Sequence, residues 1–307
     1  MKVDPVQTAL GALDDIPLRT PEGRTQILKA LAGKSNLVAA KAARKIGDAQ
    51  WAELKDDLVS AFSRFLRQGS ALDKGCNATA AIARALFALD YDGPELYLSG
   101  MRHVQMEAVW GGSVDTAAEL RAVCAMGLAS CPYPHKLREL VNLLVDEEAQ
   151  ARTGAIRAIA TAGSETAALL LRLKALSGDK DPNVMGDCLS ELLAVEGASA
   201  IPFVISFTDA QDKAIAEASF LALGATRRPE AIDWLKGRFG QVADSETRQS
   251  ILLALAASRT DAAMAFLLDV IRDGSSRSSE IAVSAMQVNS ADPRIREEIA
   301  RALEERK

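Results

Sequence analysis

Aromatic residues are scarce in this 307-residue chain, which has 3 Trp, 3 Tyr and 8 Phe, or 5% in all. A core with few large rings has to be filled by smaller side chains, and Ala and Leu dominate the 49% hydrophobic content. Unbranched and small residues keep their rotamer freedom in a helix and let helices approach closely. Alternating runs of Val, Ile, Thr and Tyr, the mark of strands, are missing, so the expected class is all-α. Four cysteines (Cys76, Cys124, Cys131, Cys188) lack CxxC spacing, which fits reduced thiols in a cytosol. No excess of basic charge exists either. The net charge of −5 argues against bulk binding to nucleic acid, which needs a basic footprint. No uninterrupted apolar stretch looks long enough to span a bilayer. The opening MKVDPVQTAL puts Asp4 and Pro5 where an export signal would carry its apolar run, so the expected location is the cytoplasm.

What is present is a repeat. From the middle of the chain onward, a small or polar residue is followed by a larger apolar one at Ala125-Met126, Ala158-Ile159, Glu191-Leu192, Ala222-Leu223, Ala254-Leu255 and Ala285-Met286. Successive pairs are 31 to 33 residues apart. Each period divides into two helices. His135–Glu148 carries Leu137, Leu140, Val141, Leu144 and Val145 on one face, and Ala149–Ala162 follows as its partner. Gly163, Gly197 and Gly224 read as stops after second helices. Asp181-Pro182 and Asp292-Pro293 each read as a cap followed by a first-turn proline. The last helix, 293–306, has one apolar edge (Ile295, Ile299, Leu303), as an end cap should, and 4–16 is the candidate cap at the other end.

The segments DEEAQARTGAIRAIATAG (146–163), DKDPNVMGDCLSELLAVEG (179–197) and DAQDKAIAEASFLALGATRRPEAIDWL (209–235) resemble HEAT-type helical repeats. The short period is similar to the HEAT-like units also found in bilin-lyase-like proteins. The likeness covers 132–290 well and the first third more loosely. Tetratricopeptide and ankyrin signatures are missing. The resemblance implies a right-handed α-solenoid (superhelix) of about eight helix pairs with terminal capping helices. It would form one domain over 1–307, with longer, irregular pairs over 1–131 and regular repeats over 132–307. The long pairs are expected at 22–32 with 36–46 and at 51–67 with 76–89. A third begins at 94–101 and resumes at 116–129 after an insertion, 102–115.

That insertion carries His103, Gln105, Glu107, Trp110, Gly111, Gly112 and Ser113. Paired glycines allow a tight turn, and Asp115 or Ser113 can cap the helix that follows. The reading that asks least is a folded-back loop whose Trp110 plugs the adjacent core. The functional alternative is a lip over the concave surface that completes a partner site. Catalysis by His103 with Glu107, i and i+4 if helical, lacks a nucleophile and a second base. A second candidate is a basic stripe over 19–45, where Arg19, Arg24, Lys29, Lys34, Lys41, Arg44 and Lys45 face Glu22 alone. Lys34, Lys41 and Lys45 align with Arg44 beside them, either as a solvated face or as a dock for an acidic or phosphate-bearing partner. Cys124, Cys131 and His135 have looser spacing than zinc prefers, and they read as ordinary packing residues. No phosphate loop, Ser-His-Asp arrangement or HExxH occurs.

The expected function is therefore a non-enzymatic scaffold or adaptor that holds another protein or peptide on its concave face, without a cofactor, a metal or a membrane. The resemblance also admits a lyase-like or other enzyme activity, because some bilin lyases use HEAT-like units. It admits nucleic-acid binding through the basic N-terminal repeat as well, since some HEAT-like proteins are DNA glycosylases.

Overall fold

A computed structural model describes residues 4–289 and 291–306. The chain divides into two compact units, Met1–Ala162 and Gly163–Lys307.

The first unit opens with α1 (Pro5–Ala12) and continues in four pairs: α2 (Pro21–Ala32) with α3 (Asn36–Asp48), α4 (Lys55–Gln68) with α5 (Asn77–Ala88), α6 (Pro94–Met101) with α7 (Ala118–Ser130), and α8 (Lys136–Leu143) with α9 (Ala149–Ala160). The second helices α3, α5, α7 and α9 pack side by side in one layer, and each first helix packs against its own partner. The small residues explain how that layer closes. A Cβ on Gly154 of α9 would stand 2.5 Å from the Ala122 Cα of α7, and one on Gly47 of α3 would stand 3.1 Å from the Ala85 Cα of α5. The backbones are therefore in near contact, a distance that Val or Leu would prevent. Between α6 and α7, Gly100 lies under the Cys124 thiol and Gly127 under the fully buried Tyr97 ring, so the two helices that carry the insertion pack closely along their length.

The second unit has the same plan: α10 (Glu165–Ser177) with α11 (Pro182–Glu196), the short α12 (Ile201–Ile205) with α13 (Lys213–Ala225), α14 (Pro229–Gln241) with α15 (Ser245–Ser258), and α16 (Asp261–Asp273) with α17 (Ser276–Met286), followed by α18 (Pro293–Glu304). Helix starts are capped by side-chain oxygens of Ser164, Asp181, Asp212, Asp244, Thr260, Ser275 and Asp292, which accept otherwise unpaired first-turn N–H groups. All six repeat pairs of the sequence fall on second helices, and Ile159, Leu192, Leu223, Leu255 and Met286 are fully buried.

Four expectations need correction. The run Pro182–Ile205 is, by length and composition, apolar enough to cross a membrane, but Gly197 at φ +66° breaks it into α11 and α12. Gly224 is no stop. It lies inside α13, where any Cβ would strike the Ala254 carbonyl of α15, so it is a packing glycine. Helix α8 ends at Leu143 rather than running to 148, which leaves Val145 81% exposed, because the chain turns there to aim the Asp146 carboxylate inward. Finally, the insertion holds strands. Met106–Val109 (β1) and Gly112–Asp115 (β2) pair antiparallel, with Met106 opposite Asp115 and Val109 opposite Gly112.

Candidate functional site

The β1–β2 hairpin stands where the first unit's second helices begin, between the turn before α5 and the start of α7. Its alternation is inverted. Gln105 and Glu107 are buried, whereas Val104, Met106 and Ala108 are exposed. Strands on a protein surface ordinarily bury the apolar row. Here the polar row points inward, so it has to be satisfied by hydrogen bonds.

It is. One oxygen of Glu107, Oε1, accepts the Gly75 N–H at 2.6 Å, the Gln105 amide at 2.7 Å and the Thr116 hydroxyl at 3.0 Å. These donors, led by the Gly75 N–H, hold the Glu107 carboxyl below its usual range against the opposing effect of desolvation. Gly75 (φ +74°) and Cys76 (φ +51°) form a left-handed turn, and Glu107 braces it from outside. From inside, the buried Asp73 accepts from the Ala78 and Thr79 N–H groups and the Thr79 hydroxyl, each at 2.8 Å, and so caps α5. The Gln105 amide also donates to the Asp73 carbonyl at 2.9 Å.

The hairpin's other root is ionic. Arg121, only 3% exposed, donates to Asp115 at 2.6 Å, to the His103 carbonyl at 2.9 Å, and through two nitrogens to both oxygens of Asp146 at 2.9 Å each. This planar, bidentate geometry suits guanidinium and carboxylate. Asp115 in turn accepts the N–H groups of Gln105 (3.0 Å) and Ala117 (2.9 Å). Burial alone would push its carboxyl up, but these donors and Arg121 more than reverse that and hold it low. Asp146 accepts the Glu148 N–H at the start of α9, and Arg152 donates to the Asp146 carbonyl at 2.8 Å. Arg121 and Arg152 went unrecognised as site residues in the sequence. Their signal was there: Asp115…Arg121 and Asp146…Arg152 share one spacing and stand one repeat apart.

At the tip, Gly111 has φ +88°, a value that the third position of a tight turn can require and that glycine supplies without strain. Trp110 beside it is 104% exposed. It does not plug the core, because the two-residue turn holds it at the far end from the packed helices. Val109 and Val114 are also open to solvent, and neither a charged side chain nor a histidine stands at the tip. Gly111 and Gly112 have no atom within 4 Å of where a Cβ would be. The His103 ring has one hydrogen-bond partner among the described residues, Gln105 Oε1 at 3.4 Å, and the chain from His103 leads into β1 rather than a helix, so the i, i+4 pairing with Glu107 does not form. Gln105 and Glu107 are occupied in the base and unavailable for direct contact.

The basic stripe is largely spent on the fold. Lys41 reaches the Leu10 carbonyl at 2.7 Å and Asp14 at 2.6 Å, and this hydrogen bond holds the Asp14 carboxyl low. Lys45 reaches the Asp14 carbonyl at 3.2 Å, and Arg19 binds the Ala49 and Gln50 carbonyls past the end of α3. Lys34 and Arg44 stay exposed. The stripe and the hairpin are thus separate features. All four thiols are buried, and burial pushes Cys76 up to about 11 and Cys188 up to about 12 and raises Cys124 and Cys131 as well, a setting that disfavours the thiolate. Among the described residues no group of three His, Cys, Asp or Glu side chains could hold a metal ion.

Paired helices in two layers, small residues between the second helices and a period of 31 to 33 define an α-helical repeat protein. Residues 169–256 match the family model described as HEAT repeats. No curated protein matches the chain. Among solved structures, human deoxyhypusine hydroxylase in complex with glycerol is 17% identical, with a TM-score of 0.32 over 94% of this chain and 92% of that one. The complex of CpcE and CpcF of phycocyanin lyase from Nostoc sp. is 15% identical, with a TM-score of 0.37 over 94% and 96%. Both likenesses are loose, and nothing about this chain's activity follows from either.

Proposed function

We propose that this chain is a non-enzymatic protein-interaction module, working in the cytoplasm, whose β1–β2 hairpin is a contact element for a partner protein. The observation that carries this reading is the inverted hairpin, whose polar residues face inward while Val104, Met106, Val109, Trp110 and Val114 face water. Met106 is exposed on one face and Val109 and Val114 on the other, so one short element presents large apolar side chains to water on both faces, and exposed apolar clusters mark interaction sites. Tryptophan is also among the residues that most often dominate binding energy at an interface. A HEAT-repeat body supports the reading, since such repeats commonly serve as platforms for other proteins. The four buried, unpaired thiols fit a reducing compartment.

The test is a Trp110→Ala variant compared with wild type in capture from the source cell's extract, followed by affinity measurement on the recovered partner. As an interface anchor, Trp110 should contribute at least about 2 kcal/mol, roughly a thirtyfold loss of affinity on truncation. Its melting temperature should stay that of wild type, because the ring packs on nothing. A variant that folds normally and binds every partner as tightly would remove the hairpin from the interface.

A further inference from the structure

The N-terminal helices of the first unit form an apolar groove with charge of one sign. Helices α1 and α3 run in the same direction: Lys41 of α3 meets Leu10 and Asp14, and Lys45, one turn on, meets Asp14 again. Helix α1 has no fully buried residue, and between it and the α2–α3 pair lies a groove of about 610 Å³. Leu13, Ile16 and Val38 form a buried floor, with Val6, Ala9 and Ala30 beside them. The lining includes no carboxylate, although acidic residues outnumber basic ones by 41 to 36 in the chain. It does include Lys29 and Lys34. Lys29 lies in the last turn of α2, and Lys34 immediately precedes Ser35, the cap of α3, so both flank one turn. The parallel run brings the start of α1 to this same end. Neither lysine has an ion pair among the described residues, whereas Arg24 and Lys41 of the same stripe do.

An apolar trough with two unpaired cations at one end has the chemistry of a site for a molecule with an apolar body and an anionic head. We propose that it binds a carboxylate-headed aliphatic amphiphile, with the head at Lys29 and Lys34 and the chain lying along Ala9, Leu13 and Val38. The groove's volume falls in the range of small-molecule sites, about 300–1,000 Å³. The starts of α1 and α3 bring positive helix ends there, and at the negative end of α2 the Leu31 and Gly33 carbonyls are already engaged by Arg64. Asp4, the carboxylate at this end, is already engaged in capping α1 through the Val6 N–H at 2.9 Å.

Titration calorimetry of the full chain with decanoate, below its micellar concentration, tests the assignment against 1-decanol as an uncharged chain of equal length. Decanoate should bind saturably at one site and more tightly than decanol. The double variant Lys29→Gln/Lys34→Gln should weaken decanoate by roughly tenfold, as expected for two partly screened charges, and leave decanol unchanged. Ala9→Trp, which fills the trough from α1, should abolish both, with the helical melting curve of each variant confirming the fold. Absence of saturable decanoate binding would overturn the proposal. So would equal binding of acid and alcohol with no effect of the lysine variant, which would make the trough an apolar protein-docking surface instead.

Discussion

Replacing Arg121 by Met keeps most of the side chain's length and deletes its charge, which isolates what the guanidinium does. Four hydrogen bonds disappear: to Asp115, to the His103 carbonyl and two to Asp146. Asp115 keeps its two backbone donors and Asp146 keeps the Glu148 N–H, but two nearly buried carboxylates lose their counter-charge. Removing one partner from a buried ion pair typically costs about 3–5 kcal/mol, far more than the net contribution of the intact pair. At about 2–4 °C per kcal/mol for a unit of this size, Arg121→Met should melt about 6–20 °C below wild type by circular dichroism. Adding Asp146→Asn should then cost less than it does alone, because it removes one stranded charge. Amide exchange should rise first in residues 105–117, whose hydrogen bonds lead back to this side chain. If Arg121→Met melted within about 2 °C of wild type, the cluster would not hold the hairpin, and the reasoning would fail.

Three further outcomes follow from the packing and the titrations. Gly154→Ala should lower the melting temperature, since steric overlap of about 1–3 kcal/mol outweighs the gain of up to about 1 kcal/mol in helix propensity. Gly237→Ala, in α14 with nothing within 4 Å, should raise it. Glu107 and Asp115 both have folded carboxyls held below their unfolded values, so their stabilisation is complete above about pH 5 and is lost as the pH falls below about 4. Acid melting curves should therefore show Glu107→Gln less stable than wild type at neutral pH and converging with it in acid; a constant gap would contradict the assignment.

The helices were legible because burial repeats with the helix period. Ile159, Leu192 and Leu255 are fully buried on second helices, and Asp181-Pro182 and Asp292-Pro293 start helices as their chemistry predicts. Gly224 misled because a glycine near a helix end suits a stop as well as a close crossing, and only the neighbouring Ala254 carbonyl distinguishes them. The early end of α8 depends on a partner that lies 25 residues earlier, Arg121, which no local pattern shows. The hairpin was hidden for a different reason. Its period of two is present in Val104-Gln105-Met106-Glu107-Ala108, but a reading that assigns apolar residues to the inside finds no core face there.

That inversion bears directly on what the hairpin can do. A two-stranded sheet is marginal in water, and this one gains little from apolar burial, since its larger apolar residues are the exposed ones. Its order must come from the base, through Glu107 on the Gly75 N–H and Arg121 between Asp115 and Asp146. The protein therefore stabilises a fixed position for Trp110 with polar contacts made elsewhere, and leaves the ring free. An anchor already held in place gives up less conformational freedom when it is buried by a partner, so more of its burial appears as affinity. Base and tip should then separate by experiment. Truncating Trp110 should weaken binding without altering melting, whereas loosening Arg121 should lower melting and weaken binding together, because the tip would be ordered only at the moment of contact.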